Sequence, residues 1–353
     1  MKADTNRPLI YKKRFWAGIL LAQFLLFFIL SKLKFFVRLV DIFFEWQKTF
    51  HQSIFSKIPF SVGDVFYVLL IGFFIFIIVG IFRKRNKYLL TGLISLNILY
   101  FAYQFLWGLL YFQTPLIEKL PKEEITLEET KKLTESYLQK CIEARKEVSE
   151  DENGVFKITD FIRIEKEISQ RQKQIPQPFN TKKVTNIDNF KESLFSPLMG
   201  YSGILGYYNP FTSEAQYNAE LPDSYKPFTL AHESAHQLGF AREQEANFIG
   251  YLIGIQSKNP EVAYPTKYYV LKSLLHSLVE KHPEYVQKIQ DSYSPAMKRD
   301  RDAEKRYVEK HQGLLEVFFG FTNDLFLKSN QQEGSVTYSY FVNLLVRYER
   351  TFQ

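Results

Sequence analysis

His232-Glu233-Ser234-Ala235-His236-Gln237-Leu238-Gly239 is the stretch on which the reading of this chain turns. Two histidines four residues apart on a helix share one face, about 6 Å apart, so their imidazoles can close on one metal ion. Glu233 projects at a neighbouring angle, where a carboxylate can take a proton from a metal-activated water. Pro227 suits the first turn of a helix, and Ala231 and Ala235 favour its interior. Gly239 tolerates the left-handed conformation that ends one. The spacing predicts a helix through the motif and a turn at Gly239 that sends the next segment back toward the histidines.

Catalytic zinc usually takes three protein ligands and leaves one position for water. One zincin subclass places a third histidine three residues beyond this glycine. Arg242 stands there instead, and a guanidinium has no lone pair to offer, so that subclass is excluded. Glu243-Gln244-Glu245-Ala246-Asn247 follows. It resembles the Glu-x-x-Ala-Asp or Glu-x-x-Ala-Asn setting in which other zincins carry a glutamate ligand, which makes Glu243 the expected third ligand, with Glu245 as its competitor two positions on. Asn247 lies one turn further along the same face and can hold a ligating histidine by hydrogen bond. Acids are also ordinary in a solvated helix start, near the positive end of its dipole. Against that stand Ala246, Phe248, Ile249, Tyr251, Leu252 and Ile253, which predict a buried helix, and buried carboxylates need a partner. His51, His276, His282 and His311 lie outside any ligand spacing. His282 and His311 are expected at the surface, and His276 in the core or at its boundary.

Working outward, the 34 Phe of this chain are concentrated in its first third, which points to lipid contact there. Three apolar runs near the length of about 20 residues needed to cross a bilayer predict spans at about 15–33, 62–82 and 88–112. The first has a long n-region and no small-x-small site after it, so it is read as retained rather than as a cleaved signal. Lys2, Arg7, Lys12, Lys13 and Arg14 precede the first span, and Arg83, Lys84, Arg85 and Lys87 join the second to the third. Both groups are expected to face the cytoplasm, which puts the chain from Thr114 onward outside it. Phe35, Phe36, Phe43, Phe44, Trp46, Phe50 and Phe55 predict an interfacial segment between the first two spans. The net charge of +7 is thus largely a topology signal. No basic groove with interleaved aromatics suggests nucleic acid. Cys141 is the only cysteine, which rules out an intrachain disulfide.

These signals divide the chain into a membrane region (1–113), a linker (114–125) and a soluble domain (126–353). Thr126 and Glu129 form a capping-box pattern, and Leu133, Tyr137, Leu138, Cys141 and Ile142 follow at helical spacing. A second amphipathic stretch covers 156–168. Pro176 and Pro178 mark a loop. The region 206–218, with a short extended segment at 214–218, sits where a zincin carries the edge strand that pairs with substrate; an aromatic-rich surface loop is the alternative. Helices are expected over 267–280, 283–293 and 295–329, with an apolar segment at 336–348. Tyr338 there could assist an oxyanion, although packing is the simpler role.

The three N-terminal spans, the 206–216 segment, His-Glu-x-x-His-Gln-Leu-Gly and Arg-Glu-Gln-Glu-Ala-Asn-Phe together resemble a bacterial family of three-span membrane proteins. That family is of unknown function and is regarded as zincin-type metallopeptidases. The resemblance extends over nearly the full length, to the 334–345 tail. The expected fold is mainly α, a three-helix transmembrane region followed by a predominantly helical zincin-like domain with a small edge sheet. The expected activity is Zn2+-dependent peptide hydrolysis, with His232, His236 and Glu243 on the metal and Glu233 as general base. The substrate would be a peptide or protein of the cell envelope, at the outer side of a bacterial inner membrane. A non-catalytic, membrane-anchored scaffold and a zinc amidase for a non-peptide envelope substrate are the rival readings.

Overall fold

The computed structural model describes residues 8–184, 189–313 and 337–352, with the side chains of Asn86, Thr337, Tyr338 and Phe352 outside the described ones. Three helices, α1 (Lys13–Ser31), α3 (Val62–Phe82) and α4 (Asn86–Leu106), are long and apolar enough to cross a membrane. Their mean hydropathies are 1.8, 3.0 and 1.5, and at most 11% of each apolar stretch is buried within the protein, as lipid-facing helices require. α1 packs along α4, and α3 and α4 form a hairpin turning at Arg83–Arg85. The third apolar run does not continue as one helix to residue 112. α4 breaks at Trp107 (φ −147°, ψ −51°), and Gly108–Phe112 forms a 3₁₀ turn. The reason is packing, because Gly108, Leu109, Leu110 and Tyr111 are buried in protein rather than lipid.

Between the first two spans lies α2 (Lys34–Phe55), with two unlike faces. Val37, Val40, Phe44, Gln47, Lys48 and Gln52 are buried. Phe35, Leu39, Ile42, Trp46, Phe50 and Ile54 are exposed. Buried Lys48 is satisfied by Glu45 Oε2 at 2.6 Å and by the carbonyls of Lys183 (2.9 Å) and Leu238 (3.3 Å).

The rest of the described chain is helical apart from one small sheet. Its elements are α5 (Leu127–Lys146), α6 (Phe161–Arg171), β1 (Phe190–Glu192), α7 (Ser196–Ser202), β2 (Gly206–Asn209), β3 (Glu214–Tyr217), α8 (Lys226–Leu238), α9 (Glu243–Gly254), α10 (Pro260–Val279), α11 (Pro283–Asp291), α12 (Pro295–His311) and α13 (Thr337–Phe352). The capping box at Thr126 and Glu129 starts α5, and Tyr137, Leu138 and Cys141 bury the predicted stripe. α8, α9, α10, α5 and α13 enclose the main core, in which Ala231, Ala235, Phe248, Ile249, Tyr251, Leu271 and Leu345 are buried. Leu116 and Leu120, from the segment that joins the two regions, belong to the same core.

The sheet has strand order β1-β3-β2, with β1 parallel and β2 antiparallel to β3. The extended 206–218 region is thus a hairpin, while β1 and α7 had no clear periodicity to announce them. The sheet is fastened to the start of α3. Glu214 accepts from Val62 N (3.1 Å) and Gly63 N (2.6 Å), and Asp64 accepts from Ser193 Oγ (3.1 Å), Leu194 N (2.7 Å) and the Tyr207 hydroxyl. A second, smaller core joins the spans to the soluble part: Phe27, Val40, Phe44, Trp107, Leu109, Leu110, Tyr111, Tyr208 and Ala241.

Two histidines differ from expectation. His311 is buried, its Nδ1 on the Tyr307 carbonyl (2.7 Å) and its ring against Tyr201 of α7, a helix whose packing no local signal revealed. His276 is exposed on the outward side of α10.

Candidate metal centre

The site begins with the way α8 ends. Pro227 stands in its first turn, Ala231 and Ala235 face the core, and Gly239 closes it at φ +103°, the left-handed region open to glycine. Gly239 N donates to the His236 carbonyl (2.9 Å) and Phe240 N to the Ala235 carbonyl (3.2 Å), which satisfies two of the helix's last acceptors. The turn reverses the chain, and α9 starts at Glu243. Arg242 braces it by donating to the Gln113 carbonyl (2.6 Å) and to Glu245 Oε1 (3.0 Å).

The reversal brings His232, His236 and Glu243 together. His232 Nε2 lies 3.1 Å from His236 Nε2 and 3.3 Å from Glu243 Oε2, and His236 Nε2 lies 3.6 Å from Glu243 Oε1. Ligand atoms about 2.0–2.1 Å from a tetrahedral ion stand about 3.3 Å apart, so these separations match the edges of a zinc site. Among the described residues this is the one group of three His, Cys, Asp or Glu side chains gathered closely enough to hold an ion.

The other imidazole nitrogens are engaged. His236 Nδ1 is 2.7 Å from the Phe240 carbonyl, which can only accept, so this nitrogen carries the proton. His232 Nδ1 is 2.8 Å from Asn247 Oδ1. Both rings therefore present the Nε2 lone pair to the shared centre, the arrangement that metal-ligating histidines use. Burial pushes the Glu243 carboxyl up, but positive charge on His236 and His232, the place a cation would take between neutral rings, outweighs it and holds the carboxyl well below the usual carboxylate range. Glu245 is turned elsewhere. It is buried and accepts from Leu116 N (2.8 Å) and Arg242 Nη1, so of the two candidate carboxylates only Glu243 joins the cluster.

Glu233 is 3% exposed, and its Oε2 is a buried acceptor with no hydrogen-bond partner among the described residues. Burial pushes its carboxyl up to about 8, with His232 opposing and Glu243 adding to the shift. An acceptor left open in this way beside a cluster of metal-ligand character fits a group that handles the proton of a bound water. Gly206 of β2 passes closely: a Cβ there would stand 2.8 Å from Glu233 Oε1 and 2.9 Å from the Gln216 carbonyl. Asn218 N donates to the Leu205 carbonyl (2.9 Å), which sets the alternation of the ladder. Tyr207 and Asn209 bond inward to β3, while Gly206 and Tyr208 point their N–H and C=O groups away from it.

The remaining wall was not legible as part of a site. The Trp107 ring stands edge-on to His236 with centroids 5.7 Å apart, and it packs on Tyr208 at 4.6 Å. Tyr111 is buried; burial, Tyr103 and Glu243 together push its phenol well up, so it stays a protonated donor beside the cluster. Both residues lie within a run that reads as membrane span, and Gly108 between them was the one available sign of a break. Tyr338, considered above for an oxyanion, has its side chain outside the described ones.

A family profile matches residues 40–346, a stretch that takes in most of α2, two of the spans, the sheet and the whole cluster. The chain belongs to the DUF3810 family. That family is described as a protein of unknown function, so membership carries no activity with it. No curated protein matches the chain, and no solved structure does.

Proposed function

We propose that the chain is a membrane-anchored, zinc-dependent hydrolase that cleaves peptide bonds. One observation carries the reading: His232 Nε2, His236 Nε2 and the Glu243 carboxylate converge at 3.1–3.6 Å while both other imidazole nitrogens are held elsewhere. Three acceptors at that spacing repel one another, and a divalent cation between them turns the repulsion into attraction. Two imidazoles and one carboxylate suit zinc in an open, catalytic site.

When bound, the ion supplies Lewis acidity and an acidified water. His232, His236 and Glu243 would hold it, with Asn247 and the Phe240 carbonyl keeping the rings aimed. The charge of the ion would favour the ionised form of Glu233, which would take the proton of the attacking water and return it to the leaving nitrogen as the C–N bond breaks. The outward groups of β2 at Gly206 and Tyr208 offer an extended peptide backbone a strand to pair with.

Arg83, Lys84, Arg85 and Lys87 lie at the far end of the α3–α4 hairpin from the cluster, and Lys12, Lys13 and Arg14 stand at the start of α1. That asymmetry supports a cytoplasmic position for those ends and an extracytoplasmic site, in a bacterial inner membrane.

The test is the purified full chain in detergent. Wild type is expected to carry one zinc per chain and to cleave a broad peptide library. Glu233→Gln is expected to keep the zinc and lose hydrolysis, and His236→Ala to lose both. Zinc-free wild type at neutral pH, or full activity in Glu233→Gln, would overturn the assignment.

A further inference from the structure

The outer face of α2 and the position of β2 bear on what reaches the site. Phe35, Leu39, Ile42, Trp46, Phe50 and Ile54 recur every three or four residues, so they form one apolar stripe along the helix, all of it exposed. Trp46 and Phe50 stack in parallel at 5.6 Å. Lys34 and Arg38 are exposed beside the stripe, and Lys57 is exposed just past the helix end. The acids of α2 are turned away and paired, Asp41 with Lys182 and Glu45 with Lys48. An apolar stripe with cations at its margins suits a lipid surface. The tethers agree: α1 ends at Ser31 and α2 starts at Lys34, while α2 ends at Phe55 and α3 starts at Val62. Both ends of the helix are thus held at the mouths of membrane-crossing helices.

The opposite face of α2 meets the metal loop. A Cβ at Gly239 would stand 2.8 Å from the Phe44 ring, and Lys48 reaches the Leu238 carbonyl. The stripe and Phe44 lie across one helix, a separation of about 10 Å. β2 is equally low. Tyr207 packs on Tyr67 of α3 with centroids 6.3 Å apart, and Tyr208 packs on Trp107, where α4 ends.

We propose that the site acts on polypeptide held at the membrane surface, the stretch of a lipid-anchored or membrane-spanning chain next to its anchor, with α2 lying along that surface and its stripe in the lipid. The substrate class rests on the hydrolase reading above; the bedding of α2 does not.

Two measurements on the full chain in phosphatidylcholine–phosphatidylglycerol vesicles test it. A spin label replacing Trp46 (Trp46→Cys; the other thiol, Cys141, is buried) is expected to report oxygen accessibility typical of the headgroup–acyl boundary. Water-like accessibility overturns the bedding of α2 and the proposal with it. A degenerate peptide library, half of it acylated to sit in the vesicles and half free, is then given to the zinc-loaded protein. Acylated peptides are expected to be cut at least tenfold faster, at bonds near the anchor, and Ile42→Ser/Phe50→Ser to narrow that ratio without changing the rate on free peptides. Equal rates on both halves overturn this inference and leave the hydrolase standing; cleavage of neither overturns both.

Discussion

Asn247 Oδ1 lies 2.8 Å from His232 Nδ1, a contact made across the two helices of the site rather than along either one. It fixes the ring that α8 supplies from the helix that also supplies Glu243, so Glu243 and the brace of His232 arrive together.

Replacing this brace is the first prediction. Asn247→Leu keeps the volume of the side chain and removes the acceptor. Zinc affinity is expected to fall about 10–100-fold, the usual cost of losing such a support, with helical content unchanged. Competition against a chelator of known affinity measures it, and an unchanged affinity would show that the ring is oriented by something else.

Glu243 and Glu245 give opposite expectations from the same substitution. Glu243→Gln is expected to lose zinc while remaining folded, because its carboxylate faces the imidazoles. Glu245→Gln is expected to keep zinc at full stoichiometry but lower stability by about 1–3 kcal/mol, since Leu116 N and Arg242 lose a charged acceptor in a buried place. Metal content and thermal unfolding in detergent separate the two.

Gly206 tests the close approach of β2 to Glu233, the proposed general base. Gly206→Ala puts a methyl 2.8 Å from Glu233 Oε1 and 2.9 Å from a backbone oxygen, so the carboxylate must give way. A displacement of about 1 Å at a reacting group costs about 10²-fold in rate. Loss of kcat with zinc content retained is the expected result, and wild-type kcat would mean that Glu233 has slack.

Glu129 carries a pH dependence. The Thr126 backbone N–H first, with Arg350 and the Thr126 hydroxyl, holds its carboxyl down at about 2, against an ordinary value of 4.5. A lowered folded value means that the contribution is present above about 4.5 and is lost as pH falls toward 2. The start of α5 and its tie to Arg350 of α13 are therefore expected to loosen on acidification. Faster amide exchange at the first turn of α5 between pH 4.5 and 2.5, absent in Glu129→Gln, is the readout.

How much of this could be read from the chain alone depends on the range of the signal. The spans are legible because length and hydropathy are local quantities, and His232, His236, Glu243 and Asn247 because one turn joins the two helices that carry them. The capping box at Thr126 is legible for the same reason. Trp107 and Tyr111 were hidden inside an apolar run, since nothing local distinguishes an aromatic in lipid from one packed, as Trp107 is on His236, against a distant segment. The inner face of α2 was hidden too: its aromatics announce an interfacial helix, but the partners of Phe44 and Lys48 are set by tertiary packing. His311 was misplaced because a charged helix looks solvated until another helix is laid against it. β1 is three residues long and pairs across a sequence gap, which leaves no period to detect.

Glu214 grips the first two N–H groups of α3 with both carboxylate oxygens, and charge-assisted bonds of this kind leave a joint with little play. Helices adapt to a thicker or thinner hydrocarbon layer by changing tilt. When α3 does so, the hairpin fastened to it leans as well, and Gly206 with it. Bilayer thickness thereby becomes a mechanical input to the space around Glu233.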